Sequence, residues 1–282
     1  MSYPLICDPG TGYLKIGYSN YDFPQKSIPS VIGKPMLRSG EKISGVELKS
    51  IMVGEEVTPF RSVLDLSYPI SEGIVNSWDN MELIFDHAFE SIKAKPAETK
   101  LLLTEAIMNP LTNREKMAEL MFEKYGFSEI TMQIQAILSL YAEGLTTSLL
   151  LDAGDGVSHL IPVYEGTILT PFITRLNLAG RHITSYLLKL LFLKGYSFNS
   201  SADFETVREI KEKLCFVSSD LEVDRMLGKE TTTLDKHYRL PDGKKIRIGR
   251  ERFEAPELLF QPWLGGFDFN GISESVFDCI NV

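Results

Sequence analysis

Two glycine-bent turns, each opened by an aspartate, are the residues of this sequence best suited to hold a phosphate group. The segment Asp8-Pro-Gly-Thr-Gly12 follows the apolar run PLIC, and Asp152-Ala-Gly-Asp-Gly156 follows the apolar run SLLL. Glycine lets a backbone approach a ligand closely, and successive N–H groups in such a turn can form a nest for an anion. A single D-x-G turn is ordinary hairpin punctuation. Two copies, one opening each half of the chain, predict duplicated lobes that grip one phosphate group.

The residues around these turns match the needs of a nucleoside triphosphate. Such a ligand needs backbone N–H donors for its phosphates, a cation near the phosphate oxygens, and ligands for a divalent metal. Lys15 on the returning strand could reach a phosphate as a point charge. Asp8 and Asp152 would hold Mg²⁺ through its waters, because magnesium gives up its water shell reluctantly. The alternative is a surface lysine and two turn-stabilising aspartates. The candidate donors are Gly10, Thr11, Gly12, Gly154, Asp155 and Gly156.

Two polar residues in apolar surroundings are candidates for positioning water. Gln135 opens a predicted helix, and His159 follows the second turn. A glutamine that orients the attacking water recurs in phosphoryl transfer, and a histidine can relay a proton. Taken alone, each residue type is more often a hydrogen-bonded core residue.

Composition and motifs exclude several classes of function. The chain has 282 residues, a net charge of −9, 44% hydrophobic and 24% charged residues. These values are typical of a globular protein of two lobes and argue against a nucleic-acid binder, which normally shows a basic face. The sequence contains no membrane-length apolar run, signal peptide, G-x-S-x-G elbow, zinc spacing or GxxxxGK[ST] loop. The three cysteines have no metal-ligand spacing, and their odd number fits unpaired thiols in a reducing cytosol. We expect them to act as small buried hydrophobic residues rather than as reactive groups.

Strand-like and helix-like patterns alternate, which indicates an α/β protein. A capping-box pattern at Thr112–Glu115 predicts a helix over 114–125, and further helices are expected over 134–143, 183–194 and 204–214, the last capped by Ser201 or Asp203. A Pro-Asp-Gly turn at 241–243 joins two strand-like runs in a highly charged stretch. The predicted core strands are Leu5–Cys7, Leu101–Thr104, Leu149–Asp152 and Leu160–Tyr164.

Several blocks of this sequence, in the same order, resemble those of the actin superfamily. They include DPGTGYLKIGY, YPISEGIVNSWDNME, LLLTEAIMNP, IQAILSLYAEG, LLDAGDGVSHLIPVYEG, LAGRHITSYLLKLL and ERFEAPELLFQP, and they cover nearly the whole chain. Within the superfamily the resemblance is closest to a subunit of the complex that nucleates branched actin filaments. Conventional actin carries a histidine where Glu72 stands and has a different loop over 35–50.

The resemblance implies an α/β, duplicated two-lobed actin-like ATPase fold with a central nucleotide cleft. The first lobe would span 1–142, with a core subdomain (1–30 and 67–142) and a small mobile one (31–66). The second would span 143–282, with a core subdomain (143–178 and 261–282) and a peripheral one (179–260). Since the ending SESVFDCINV lacks a cap or closing strand, and family members continue further, the chain is expected to be C-terminally incomplete.

The resemblance also implies cofactors, which are ATP with Mg²⁺ or Ca²⁺. At the matching positions the family holds phosphates with Gly10, Thr11, Gly12, Lys15 and Gly154–Val157. It organises the metal and the attacking water with Asp8, Gln135, Asp152 and His159. Lys211 and Glu212 match residues that line the adenosine pocket, although their sequence pattern alone indicates a solvated helix face.

Three departures from the family pattern bear on catalysis. Pro9 lacks an N–H that could bind phosphate. Ala153 replaces a hydroxyl that senses the γ-phosphate, and His182 replaces an acidic residue. Nucleotide binding is therefore expected to survive better than efficient hydrolysis, so the chain would be a slow ATPase at most.

The function implied is that of a nucleotide-controlled structural subunit that templates branched actin filaments. Its partners would be actin, actin-related protein 3, the other subunits of the branching complex and nucleation-promoting factors. Neither nucleic acid nor membrane insertion is expected, and the location would be the cytoplasmic actin cytoskeleton. The alternatives are a conventional polymerising actin, a small-molecule kinase or chaperone ATPase of the same fold, and a paralogue that binds no nucleotide.

Overall fold

The computed structural model describes residues 3–36, 42–43, 46–198 and 200–281. The chain divides into two compact units, Met1–Asn177 and Leu178–Val282. This division differs from the lobes expected at 1–142 and 143–282, which stay a prediction. The predicted mobile subdomain over 31–66 includes residues 37–41 and 44–45, which lie outside the described residues. None of the described helices is long and apolar enough to cross a bilayer.

Strands and helices alternate through the first unit, and helices dominate the second. The strands are β1 (Leu5–Pro9), β2 (Tyr13–Tyr18), β3 (Lys26–Pro29), β4 (Ile32–Pro35), β5 (Lys42–Ile43), β6 (Val46–Glu47), β7 (Met52–Val53), β8 (Leu64–Ser67), β9 (Ile70–Ser71), β10 (Ile74–Val75), β11 (Lys100–Glu105), β12 (Glu129–Ile134), β13 (Ser148–Ala153), β14 (Ser158–Tyr164), β15 (Thr167–Ile168), β16 (Thr174–Leu176), β17 (Lys236–Arg239) and β18 (Lys245–Ile248). The α-helices are α1 (Trp78–Ser91), α2 (Leu111–Glu119), α3 (Gln135–Ala142), α4 (Gly180–Leu193), α5 (Ser201–Leu214), α6 (Leu221–Glu230), α7 (Glu251–Glu254) and α8 (Ile272–Ile280).

Short 3₁₀ and π segments complete the secondary structure of the described residues. The 3₁₀ helices span Gly54–Val63, Pro96–Glu98, Thr170–Phe172, Pro256–Leu259 and Pro262–Gly265, and a π-helix over Leu120–Lys124 continues α2.

The first unit is built on a five-stranded sheet in the order β12-β11-β1-β2-β3. Strand β1 pairs in parallel with β11, and β11 with β12, while β2 and β3 add antiparallel. The carboxyl ends of β1, β11 and β12 therefore meet at one edge of the sheet. In open α/β sheets this edge is where ligands bind.

The core of this sheet forms because apolar residues alternate along its strands. Leu5 and Cys7 of β1 and Leu14 and Ile16 of β2 are at most 1% exposed. Helix α1 covers them, since its apolar positions recur at helical spacing. The residues that α1 buries are Met81, Ile84, Phe85, Ala88 and Phe89.

A second sheet repeats the hairpin that begins the first. Strands β13 and β14 are antiparallel, and β15 and β16 both pair with β14. Asp152 lies directly across from His159 in this hairpin, as Asp8 lies across from Lys15 in the first. The two sequence turns are thus equivalent in strand register.

The second unit packs α4, α5 and the β17–β18 hairpin around one apolar core. Leu187, Leu191, Val207 and Ile210 are fully buried in this core. Cys215 lies against it, where burial raises the pKa of its thiol to about 12. This thiol is protonated at neutral pH and therefore a poor nucleophile, as the sequence predicted.

Three predicted helix starts are three residues too late. Helix α4 begins at Gly180 rather than at residue 183, because His182 caps its first turn by accepting the N–H of Ala179. Helix α2 begins at Leu111 after Pro110, with no side-chain cap, so the Thr112–Glu115 pattern lies inside the helix rather than at its start. Proline is well suited to a helix start because its φ angle is fixed. Helix α5 is capped by Ser200, whose hydroxyl accepts a hydrogen bond from the N–H of Asp203 at 3.2 Å.

Candidate functional site

The carboxylate of Asp8 collects three donors at the carboxyl edge of the first sheet. Gln135, the first residue after β12, donates its side-chain amide to Asp8 Oδ1 at 2.7 Å. The hydroxyl of Thr104 on β11 donates to the same oxygen. Lys15 Nζ lies 3.5 Å from Asp8 Oδ2. Each donor sits where it does because its strand ends at, or returns from, this edge.

The two glycine turns have the same internal hydrogen bond. Gly10 donates its N–H to the carbonyl of Tyr13 at 3.1 Å, and Gly154 donates to that of Val157 at 3.0 Å. The N–H groups of Gly10 and Gly154 are therefore hydrogen-bonded within their own turns. These glycines let a ligand approach the backbone closely but do not supply it with a donor. Among the described residues, no backbone bond uses the N–H of Gly12 or Gly156. Those amides remain as candidate phosphate donors.

The two turns also contact each other, which is possible because Gly12 and Gly156 have no side chains. A Cβ atom on Gly156 would lie 2.7 Å from Thr11 Oγ1 and 3.1 Å from the amide nitrogen of Glu72. A Cβ atom on Gly12 would lie 3.1 Å from that of Asp155. The first distance is shorter than any ordinary contact, so a side chain at Gly156 would push the turns apart.

A cavity of about 480 Å³ lies within the first unit against both turns. Twelve of the fourteen predicted site residues line it, and Lys211 and Glu212 lie in the second unit. Thr104, Gly73 and Leu138 also line the cavity. The twelve are Asp8, Gly10, Thr11, Gly12, Lys15, Gln135, Asp152, Gly154, Asp155, Gly156, Val157 and His159.

The two aspartates that open the turns sense each other's charge. Burial raises the pKa of the Asp152 carboxyl above its usual value, and the negative charge of Asp8 raises it further, while Lys15 acts in the opposite direction. Two carboxylates that repel in this way favour a bound cation, which would relieve the repulsion.

His159 is buried in the wall of the cavity. Its side chain is 2% exposed, and its Nε2 atom has no hydrogen-bond partner among the described residues. Burial lowers the pKa of the imidazole to about 4, and the positive charge of Arg175 lowers it further. The ring is therefore neutral at pH 7, and an orphaned nitrogen in a cavity wall is suited to bind a ligand or a water.

Acid should destabilise the protein through His159. Between pH 6.5 and about 4 the unfolded state binds a proton that the folded state excludes, so stability falls as the pH falls through this window. The full shift corresponds to about 3 kcal/mol, and relaxation of the folded state around the charged ring reduces the effect to about 1–2 kcal/mol. Urea unfolding of wild type and His159→Gln at pH 7 and pH 4.5 measures this difference. An equal loss in both proteins would contradict it.

Four residues that the pattern analysis did not assign support the site. Glu72 has a φ angle of +52°, which is strained for a residue with a side chain. Arg175 holds it there, donating to the Glu72 carbonyl at 3.1 Å and to its carboxylate at 3.2 Å. The next amide, of Gly73, donates to Thr11 Oγ1 at 3.1 Å, which ties this bend to the first turn. Thr104 was a findable residue, since it is a polar side chain near the end of a buried parallel strand.

The remaining predicted residues lie in the second unit. Lys211 on α5 donates to the carbonyl of Gly180 at 2.8 Å, and Glu212 lies 3.8 Å from Arg208. His182 accepts a hydrogen bond from the N–H of Ala179 at 3.1 Å through Nδ1, so it caps α4. The departure at His182 is therefore compatible with a local structural role.

Comparison with known proteins decides the family. The family model for actin matches residues 2–282. The chain belongs to the actin family. It is 53% identical over 278 residues to actin-related protein 2 of Acanthamoeba castellanii, a match that covers 98% of this chain and 72% of that protein. The mixed α/β fold predicted from the sequence is confirmed as the actin fold.

Relatives from two fungi give the same result. Actin-related protein 2 of Schizosaccharomyces pombe is 51% identical over 280 residues, covering 99% of this chain and 72% of the relative. That of Saccharomyces cerevisiae is 50% identical over 280 residues, covering 98% and 72%. The predicted position within the superfamily is thereby confirmed.

Actin-family proteins generally bind a nucleotide with a divalent metal, and the site fits such a group. The turns offer glycines that ligand atoms can approach, and His159 offers an unpartnered nitrogen. In the part of the chain that the structure describes, no three His, Cys, Asp or Glu side chains form a metal cage. Magnesium is held in this open way, by one or two carboxylates with waters and phosphates.

Proposed function

We propose that this chain is an ATP-binding subunit of the actin-related protein 2/3 complex and a template for nucleating branched actin filaments. The single observation that supports it most is the identity of about half the residues to actin-related protein 2, which extends over 98–99% of the chain. The cavity between the paired glycine turns supports the nucleotide part of the proposal.

Mg-ATP would bind in this cavity with its phosphates against both turns. The amides of Gly12 and Gly156 would donate to phosphate oxygens, and Lys15 would neutralise their charge. Asp8 and Asp152 would hold Mg²⁺ (or Ca²⁺) through its waters. The metal supplies charge neutralisation of the phosphates when bound. For Lys211 and Glu212, family resemblance alone supports contact with the adenosine.

The site favours retention of ATP over rapid hydrolysis. Gln135 is held by Asp8 at 2.7 Å and would orient a water, and the neutral His159 could accept a proton from it. Asp152 would keep the metal in place. However, Pro9 has no N–H and Ala153 has no hydroxyl to offer a phosphate. A slow turnover would suit a conformational timer, with nucleotide state shifting a two-state structure.

The proposal extends to partners and location. The chain would assemble with actin-related protein 3 and the other subunits of the branching complex, act on actin, and respond to nucleation-promoting factors. It would work in the cytoplasmic actin cytoskeleton. Division into lobes at 142/143, with residues 31–66 as a small mobile subdomain, forms part of the same proposal.

Reconstitution tests this function directly. The chain is co-expressed with the other subunits of the complex, purified through a tag on one of those subunits, and assayed for branched filaments by microscopy. We expect co-purification and branching that requires a nucleation-promoting factor. A chain that fails to co-purify, although it is folded by circular dichroism, would contradict the proposal.

The alternatives give different results in the same preparations. A conventional actin would sediment as filaments when pure protein receives magnesium and salt, and we expect no pellet. A small-molecule kinase of this fold would hydrolyse or transfer ATP phosphate in proportion to added sugar, and we expect no such dependence.

A further inference from the structure

The β17–β18 hairpin is a basic island in an acidic chain. Residues 235–250 contain six lysines and arginines and two aspartates, whereas the whole chain has a net charge of −9. No residue of this hairpin lines the cavity at the glycine turns. Its charge therefore needs its own explanation.

The register of the hairpin puts the positive charge on one face. Ile246 and Ile248 point into the core of the second unit and are at most 1% exposed. Because side chains alternate along a strand, the intervening residues point outward. On that outer face His237 lies across from Arg247, and Arg239 lies across from Lys245.

One cross-strand pair on this outer face is repulsive, because Arg239 lies directly across from Lys245 and like charges in such positions repel. Arg247, in the neighbouring cross-strand pair, forms an ion pair with Asp235 at 3.4 Å. Neither Arg239 nor Lys245 forms an ion pair with any residue in the described part of the chain. A structural role leaves this arrangement unexplained, since a neutral residue at either position would be more stable.

The face is also held rigidly. The hydroxyl of Tyr196 accepts from the N–H of Arg247 at 3.2 Å and donates to its carbonyl at 3.4 Å. Arg252 donates to the carbonyl of Leu234 at 2.5 Å and so anchors the start of the hairpin. A rigid platform loses little entropy on binding, which favours its use as a binding surface.

The shape of the face indicates what it would bind. A concavity of about 490 Å³ at one end of the hairpin is lined by three residues of the outer face, His237, Arg239 and Lys245, together with Tyr238. Its two basic rows are two residues apart along the strand, or about 6.6 Å. Alternate side chains of an extended peptide have the same spacing. A membrane or a nucleic acid is larger than the island and would meet the net negative charge of the rest of the second unit, which has 9 lysines and arginines and 14 aspartates and glutamates outside residues 235–250.

We propose that the outer face of the β17–β18 hairpin, formed by His237, Arg239, Lys245 and Arg247, docks a short acidic segment of a partner protein in extended conformation. Carboxylates at alternate positions of that segment would contact Arg239 and Lys245. Arg239 would bind them bidentately, as its planar guanidinium favours.

Fluorescence anisotropy of a dye-labelled oligoglutamate peptide tests this surface at low salt. We expect wild type to bind the peptide and Arg239→Glu to raise Kd at least about tenfold. Lys26→Glu changes the charge equally at an exposed position on β3, outside the hairpin, and should bind like wild type. Equal loss in both variants would mean that only net charge matters and would overturn the proposal, as would equal binding by wild type and Arg239→Glu.

Loss of binding by Arg239→Glu cannot be attributed to unfolding if the variant is as stable as wild type. Arg239→Glu replaces a repulsive cross-strand pair with an attractive one opposite Lys245, so its thermal midpoint should equal or exceed that of wild type. Vesicles that contain a phosphoinositide and a duplex oligonucleotide are titrated in parallel. Tighter binding of either, with no binding of the peptide, would overturn the assignment of an acidic peptide partner.

Discussion

The affinity for Mg-ATP is expected to fall about ten- to a hundredfold when Lys15 is replaced with alanine. Lys15 lines the cavity, and its ammonium lies 3.5 Å from Asp8 at the mouth of the first turn. Hydrogen bonds to a charged group contribute about 1.5–3 kcal/mol, which corresponds to this range. Calorimetric titration with Mg-ATP measures the change.

The stability of the Lys15→Ala variant should change little. The lysine side chain is 52% exposed, and exposed ion pairs contribute about 0–1 kcal/mol. Lys26→Ala is a matched control, because Lys26 is exposed on the same sheet and does not line the cavity. A similar loss of affinity in the control would assign the effect to overall charge. Unchanged affinity in Lys15→Ala would contradict the role given to Lys15.

Gly156→Ala is expected to damage both stability and nucleotide binding. The new Cβ would lie 2.7 Å from Thr11 Oγ1 and 2.9 Å from Thr11 Cγ2, so the two turns must separate. Overpacking of this kind costs about 1–3 kcal/mol of the free energy of unfolding. Because the phosphates would contact both turns, their separation should also weaken Mg-ATP binding about tenfold or more.

Gly154→Ala supplies the comparison at the same turn. Its Cβ would meet only the carbonyl of Val157, at 3.5 Å, which is an ordinary contact. Urea unfolding should therefore show a smaller loss for Gly154→Ala than for Gly156→Ala. If the two variants lose equal stability, contact between the turns is not what Gly156 provides.

Local sequence pattern predicted which residues lie together around the two turns, because their placement depends on strands and turns. The run of apolar residues before Asp8 and before Asp152 predicts the strands that carry them, and glycine predicts the bends. The equivalent positions of Lys15 and His159 in the two hairpins could also be predicted from the sequence, since each residue follows its turn by three residues. Gln135 follows from the same logic, as it begins the helix after β12.

Other parts of the site depend on contacts between distant segments, which a local pattern does not contain. Thr104 reaches Asp8 because β11 pairs in parallel with β1. The strained Glu72 depends on Arg175, a residue far along the chain. The start of α2 was missed for a different reason. Its capping pattern was locally sound, but the helix begins earlier, at Leu111, directly after Pro110.

The central claim is that the paired turns hold Mg-ATP, and calorimetric titration of the complex with ATP tests it most directly. Wild type, Lys15→Ala and Asp152→Ala are compared, each with and without Mg²⁺. We predict tight binding by wild type that requires the metal, weaker binding by Lys15→Ala, and loss of the metal requirement in Asp152→Ala. The same affinity for ATP in all three proteins would contradict the claim.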